Sequence, residues 1–223
     1  TVAFVEEHSL PGPRWAEALV AAHADGYAAV GPVMLNANPR RATSWADFLM
    51  GYGKWLDRPK GQEMDFLPGH NSSYKRALLL EYADRLDGLL EAESVLHWEL
   101  RDKGHRLYLE PAARTEHVNF SRLWSFVSAE YFGGRVFASA RAARWGAGRR
   151  LFYAAASPLI PLVRLARILR QACAWNGRPR WLICRALPML CLGLGLDGLG
   201  QMLGYLLGAG HAVEAFSVLE FNR

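Results

Sequence analysis

Cysteine is scarce in this 223-residue chain: Cys173, Cys184 and Cys191 are an odd number with no paired spacing. That excludes a disulfide framework and a cysteine zinc site, and it favours a reducing compartment. Acid is scarce in one half only. Residues 121–223 carry 4 acidic side chains against 13 basic ones, and lysine is missing there, so every one of those basic residues is arginine. Residues 1–120 carry 17 acidic and 13 basic side chains. No charged-then-apolar leader opens the chain, so nothing points to export. Long uncharged runs are also lacking. Arg185 and Asp197 interrupt the apolar stretch from Trp181 to Gly210, so neither piece reaches the roughly 20 residues of a plain membrane span.

The basic half is also the apolar half. Positive charge beside apolar surface suits an anionic membrane, whereas positive charge among polar loops suits nucleic acid. A membrane partner is therefore expected and nucleic acid is not. Leu159 to Gln171 gives the clearest amphipathic pattern, with Arg164, Arg167 and Arg170 three apart on one side of a helix. Such a helix can lie in the headgroup plane or pack on a domain core, and the basic surroundings favour the headgroup plane. Gly200, Gly204 and Gly208 repeat every four residues, a spacing that lets apolar helices approach closely in lipid. A re-entrant or interfacial hairpin is expected over 181–210, with a spanning helix or a transmembrane hairpin as the alternatives.

Residues 1–120 alternate strand-like and helix-like stretches, an α/β pattern. Val2 to Val5, Tyr27 to Leu35, Met64 to Leu67 and His105 to Leu109 read as strands. Trp15 to His23, Tyr74 to Arg85 and Leu89 to Lys103 read as helices, with Ser72 or Ser73 as a cap for the second. Pro111 to His117 reads as a loop. The chain opens on a strand with no Met before it, so a preceding segment is expected.

Three local features carry chemistry. Glu6-Glu7-His8 follows the first strand, where ligands of open α/β sheets bind. A carboxylate and an imidazole one residue apart can share a divalent ion, Mn²⁺ or Mg²⁺, and the imidazole favours Mn²⁺. Read locally, the same triplet is also an acidic surface turn. Gly69-His70-Asn71-Ser72 offers free backbone N–H groups before a helix. Glu91-Ala92-Glu93 puts carboxylates at a helix start, where they can accept a proton from a hydroxyl or compensate the helix dipole.

In order, the acidic triplet, "LPGPRW", "LPGHNSSYKRALL", "EAESVLHWELRDKGHRLYLEP" and "EH" resemble the second half of a family 2 glycosyltransferase of the GT-A fold, over roughly residues 1–120. The resemblance implies a partial GT-A, Rossmann-like domain at 1–120, followed by amphipathic and hydrophobic helices at 121–223. It implies an inverting transfer from a nucleotide-diphosphate sugar to a hydroxyl of a lipid-linked or envelope glycan, on the cytoplasmic face of a membrane. Glu6 and His8 fall on the family's two metal positions and His117 on its late histidine. Glu93 falls on the catalytic base, and Gly69, His70, Asn71 and Ser72 on the acceptor-side loop. Glu6-Glu7-His8 departs from Asp-x-Asp, and Ala92 stands where the family has a supporting Glu. The Gln-x-x-Arg-Trp signature of processive synthases is lacking, which implies single-sugar transfer. The family's nucleotide-reading half has no counterpart in these residues. Two further classes stay open: a non-catalytic relative of the family, and a basic membrane-bound adaptor.

Overall fold

The computed structural model describes residues 1–91, 93–173 and 180–220. The first elements are β1 (Val2–Ala3), β2 (Ser9–Pro11), α1 (Trp15–His23), β3 (Ala29–Asn36), α2 (Ala42–Tyr52), β4 (Gln62–Glu63) and β5 (Ser73–Tyr74). Three helices follow, α3 (Arg76–Leu80), α4 (Leu86–Glu91) and α5 (Glu93–Asp102), and then the long strand β6 (Leu107–His117). The rest is helical: α6 (Leu123–Arg141), α7 (Ala147–Ala156), α8 (Ile160–Cys173), α9 (Arg180–Leu207) and α10 (Ala212–Glu220). The protein is thus mixed α/β with apolar C-terminal helices. It divides into two compact units, Thr1–Ala37 with Trp55–Val118, and Asn38–Lys54 with Asn119–Arg223.

The first unit is built on one curled sheet of order β1-β5-β3-β6-β2, with β4 also paired to β6. β3 pairs with β6 in parallel, and the other pairings are antiparallel, which leaves β1, β3 and β6 pointing the same way. The apolar run of β3 suits a central strand, and Ala29, Val30, Val33 and Met34 are fully buried. Helix α1 covers one face by packing Trp15, Ala18, Leu19 and Ala22 on Val30 and Ala113.

β6 runs on through the stretch expected to be a loop. Its register against β3 jumps from Glu110 opposite Pro32 to Arg114 opposite Val33, so Pro111 to Ala113 form a bulge. Proline cannot donate to a ladder, and a bulge is one of the few strand positions that tolerates it. Neither Ser72 nor Ser73 caps a helix as expected: Ser73 lies in β5, and α3 starts after Lys75 without a side-chain cap.

His97 on α5 is fully buried, with Nε2 2.8 Å from the Tyr74 hydroxyl and Nδ1 facing the Leu67 N–H at 3.5 Å. Burial pushes its pKa down to about 4, so the folded protein holds it neutral. The unfolded chain takes up that proton below about pH 6.5, so this stability is complete above pH 6.5 and drains away as pH falls toward 4. The whole effect is about 3 kcal/mol. Wild type should therefore lose about that much more stability across this window than His97→Gln, measured by unfolding at a series of pH values. Equal slopes for the two proteins would contradict the assignment.

In the second unit α6 and α9 run side by side. A Cβ on Gly200 would overlap the Tyr131 carbonyl, one on Gly204 the Arg135 carbonyl, and one on Gly134 the Asp197 carbonyl. Glycines on both helices therefore set how closely the backbones approach. Helix α2 belongs to the same unit, tied in by Thr43 Oγ1–H donating to the Ser121 carbonyl and the Phe120 N–H donating to Asp47 Oδ2.

The expected hairpin over 181–210 is instead one continuous helix of 28 residues to Leu207. Asp197, which interrupts the apolar run in the linear sequence, is only 7% exposed and does not reach the outer surface. Arg164 donates to Asp197 Oδ2 at 2.5 Å and Gln201 donates to the same oxygen at 2.9 Å. Arg164 is therefore not grouped with the exposed Arg167 and Arg170. Two segments, Ala147–Ala172 and Trp181–Leu207, are long and apolar enough to cross a membrane, and in the first only 17% of the apolar window is buried.

Candidate metal centre

The chain leaves β1 at one edge of the sheet and enters β2 at the other. Residues 4–8 therefore cross the end of the sheet where the parallel strands β1, β3 and β6 all finish. The Phe4 N–H donates to the Ser72 carbonyl on the β5 side, and the Val118 N–H donates to the His8 carbonyl on the β6 side. The crossing suspends Glu6 and His8 over the carboxyl ends of the strands. His117, the last residue of β6, pairs with Asn36 on one side and Ser9 on the other. It is buried beneath them at 1% exposure.

Glu6 is the hub. Its Oε2 lies 3.7 Å from His8 Nε2 and 3.6 Å from His117 Nε2, and the two imidazole rings meet edge to face at 4.7 Å. Ser9 Oγ–H donates to Oε2 at 3.3 Å and Asn71 Nδ2–H at 2.6 Å. His70 Nδ1 stands 3.4 Å from Oε1. Burial pushes the Glu6 pKa up, but hydrogen bonds from His70 and Asn71 and the charge of His117 and His8 outweigh it, so the carboxyl sits well below the usual range. Glu6 is therefore an anion at any ordinary pH.

One oxygen of Glu6 and one nitrogen each of His8 and His117 lie within 4.8 Å of one another. Ligand atoms each about 2.0–2.2 Å from a shared ion stand roughly 3–3.6 Å apart, so these side chains need to close only slightly to share one. Two imidazoles and a carboxylate suit Mn²⁺ or Zn²⁺ better than Mg²⁺, which prefers oxygen. Ser9 and Asn71 would then orient the carboxylate from behind, as outer-shell partners do for metal ligands.

The other residues picked out in the sequence fall around this centre unevenly. Gly69, His70 and Asn71 form a single 3-10 turn, within which the Asn71 N–H bonds back to the Pro68 carbonyl. His70 is the exposed member, with a half-exposed side chain. Ser72 is fully buried and turns its hydroxyl onto the Pro68 carbonyl, so it faces its own loop. His70 Nε2–H donates to the Leu90 carbonyl at 3.1 Å, which brings the end of α4 against the loop. Glu93 is the first residue of α5, three positions beyond Leu90. Its side chain, and Ala92 before it, lie outside the described residues. The contacts of Glu6 with His70, Asn71 and Ser9 have no sequence signature, since nothing in local spacing marks them.

No protein-family model matches the chain, and no match was found among curated proteins or solved structures.

Proposed function

We propose that this chain is the acceptor-side part of an inverting, metal-dependent glycosyltransferase of the family 2, GT-A type, working at the cytoplasmic surface of a membrane. One observation supports the reading: Glu6, His8 and His117 converge at the carboxyl ends of parallel strands, beside the 69–71 turn against which the end of α4 is held. That is where a diphosphate, a hydroxyl acceptor and a base have to meet.

Glu6, His8 and His117 would hold a divalent ion, which would supply positive charge to offset that building on a leaving diphosphate. In the proposed reaction a hydroxyl oxygen of the acceptor forms a bond to the anomeric carbon of a nucleotide-diphosphate sugar. The bond from that carbon to the diphosphate oxygen breaks, with inversion, and Glu93 takes the hydroxyl proton. His70 and Asn71 keep the Glu6 carboxylate in place, and of the two the half-exposed His70 is the one that can face an acceptor. The exposed apolar helices and the arginine-rich half suit an acceptor that is lipid-linked or part of an envelope glycan.

Removing the base while keeping its shape tests the reading. In the protein that carries this chain, Glu93→Gln should lower sugar transfer by roughly 10²–10⁴-fold with donor binding retained. EDTA should abolish transfer and Mn²⁺ should restore it. Full activity in EDTA would exclude the metal, a loss under about threefold for Glu93→Gln would make another residue the base, and no transfer at all would leave a non-catalytic scaffold.

A further inference from the structure

Three helix ends meet in the second unit: the end of α6 at Arg141, the start of α7 at Ala147, and the last turns of α9 at Tyr205. Tyr205 is fully buried between Trp145, whose ring stacks on it at 5.9 Å, and Tyr153 at 5.7 Å. Arginines cap these rings from outside. The Arg149 guanidinium lies 4.1 Å from the Trp145 centroid, and that of Arg141 lies 4.8 Å from Tyr153 and 5.2 Å from Trp145. Arg150 donates to the Tyr205 carbonyl at 2.8 Å, and Arg141 donates to the Tyr205 hydroxyl at 3.1 Å.

A guanidinium lying on a ring face is held in orientation while its N–H groups, which lie in its own plane, remain available. Here few of them are used. Among the described residues neither Arg141 nor Arg149 meets a carboxylate, and the sequence has no Asp or Glu anywhere from 131 to 196. Among the described residues of this unit, a fixed cluster of positive charge with unused donors has no carboxylate partner. The same cluster sits at one end of the two segments long and apolar enough to cross a membrane. Beyond it Leu151, Phe152, Leu159, Leu162 and Val163 are all exposed. Trp and Tyr collect where a span meets the headgroups, and arginine forks match phosphate oxygens.

We propose that Arg141, Arg149 and Arg150, held on the Trp145–Tyr153–Tyr205 stack, form a collar that binds the phosphate groups of anionic lipids where these helices leave the hydrocarbon. The collar rests on the membrane reading of this unit and specifies which residues meet the headgroups and what chemistry they recognise. It is separate from the amphipathic 159–171 stretch, whose Arg164 is committed to Asp197.

The test uses the whole chain reconstituted in bilayers of phosphatidylcholine mixed with phosphatidylglycerol. Spin-labelled versions of the two lipids report which one the protein retains. Wild type should prefer phosphatidylglycerol, and each arginine removed should reduce that preference roughly fivefold, the equivalent of about 1 kcal/mol per charge. Arg141→Gln with Arg149→Gln is the main variant. Arg149→Gln alone, whose side chain touches only ring faces, serves if the double variant does not fold. Lys60→Gln with Arg76→Gln removes the same charge from the other unit and should leave the preference unchanged. No preference in wild type, or an unchanged preference in the folded Arg149→Gln protein, overturns the collar while co-flotation with vesicles upholds the membrane reading. Failure of wild type to float with either kind of vesicle overturns both.

Discussion

Gly204→Leu should prevent α6 and α9 from assembling and cost the helical unit at least about 3 kcal/mol, at the upper end for an overpacked interior. A Cβ at this position already overlaps the Arg135 carbonyl oxygen and comes within 2.8 Å of the Ala138 Cβ. The first of these is backbone, which cannot rotate away, so the helices have to separate. Separation would also loosen the contact at Gly200 against Tyr131, because both glycines lie on the same strip of α9. Gly195 is the internal control. It lies on the same helix, is exposed, and has nothing within 4 Å of where a Cβ would be. Gly195→Ala should be neutral or stabilising by up to about 1 kcal/mol, because glycine is the poorer helix former. Thermal unfolding in detergent ranks the two variants. Similar melting temperatures for both would mean that the glycine contacts do not hold the pair together.

A second large effect is expected at the candidate metal centre. Outer-shell partners of a metal ligand typically contribute roughly 10–100-fold in affinity, so removing a ligand itself should cost more. His8→Ala and Glu6→Gln should each weaken Mn²⁺ binding by more than about a hundredfold. Asn71→Leu, which removes the 2.6 Å hydrogen bond to Glu6 but no ligand, should fall in the range of about 10–100-fold. That graded order separates a metal site from a hydrogen-bonded cluster. Calorimetric titration measures it, with circular dichroism to confirm that each variant is folded. A site in which Asn71→Leu binds Mn²⁺ as weakly as His8→Ala would not be organised as described.

Periodicity was informative where one face of an element is buried against a single neighbour. Helix α1 spans Trp15–His23 as its apolar spacing predicts, and β3 follows the apolar run that begins after Tyr27. Local rules failed where a distant partner decides. Pro111 reads as a loop signal, yet pairing with β3 and β2 continues the strand past it at the price of a bulge. Ser73 reads as a helix cap, yet β1 and β3 both claim it for the sheet. Asp197 reads as a break in an apolar run, yet Arg164, 33 positions away, neutralises it inside the bundle. The same limit applies at the candidate site. Glu6 and His8 stand out because they lie one residue apart just after a strand, and His117 enters through the ordered resemblance. The links from Glu6 to Asn71 and His70 span about 65 residues and exist only once residues 4–8 cross the end of the sheet.

The proposed chemistry requires Glu6, His8 and His117 to share one divalent ion. Pulsed electron paramagnetic resonance of Mn²⁺ added to the whole chain tests it most directly, because a bound imidazole nitrogen couples to the manganese electron spin. Coupling to two histidine nitrogens is expected, reduced to one in His8→Ala and in His117→Ala. Mn²⁺ that remains fully hydrated, or that binds with no nitrogen coupling, would contradict it.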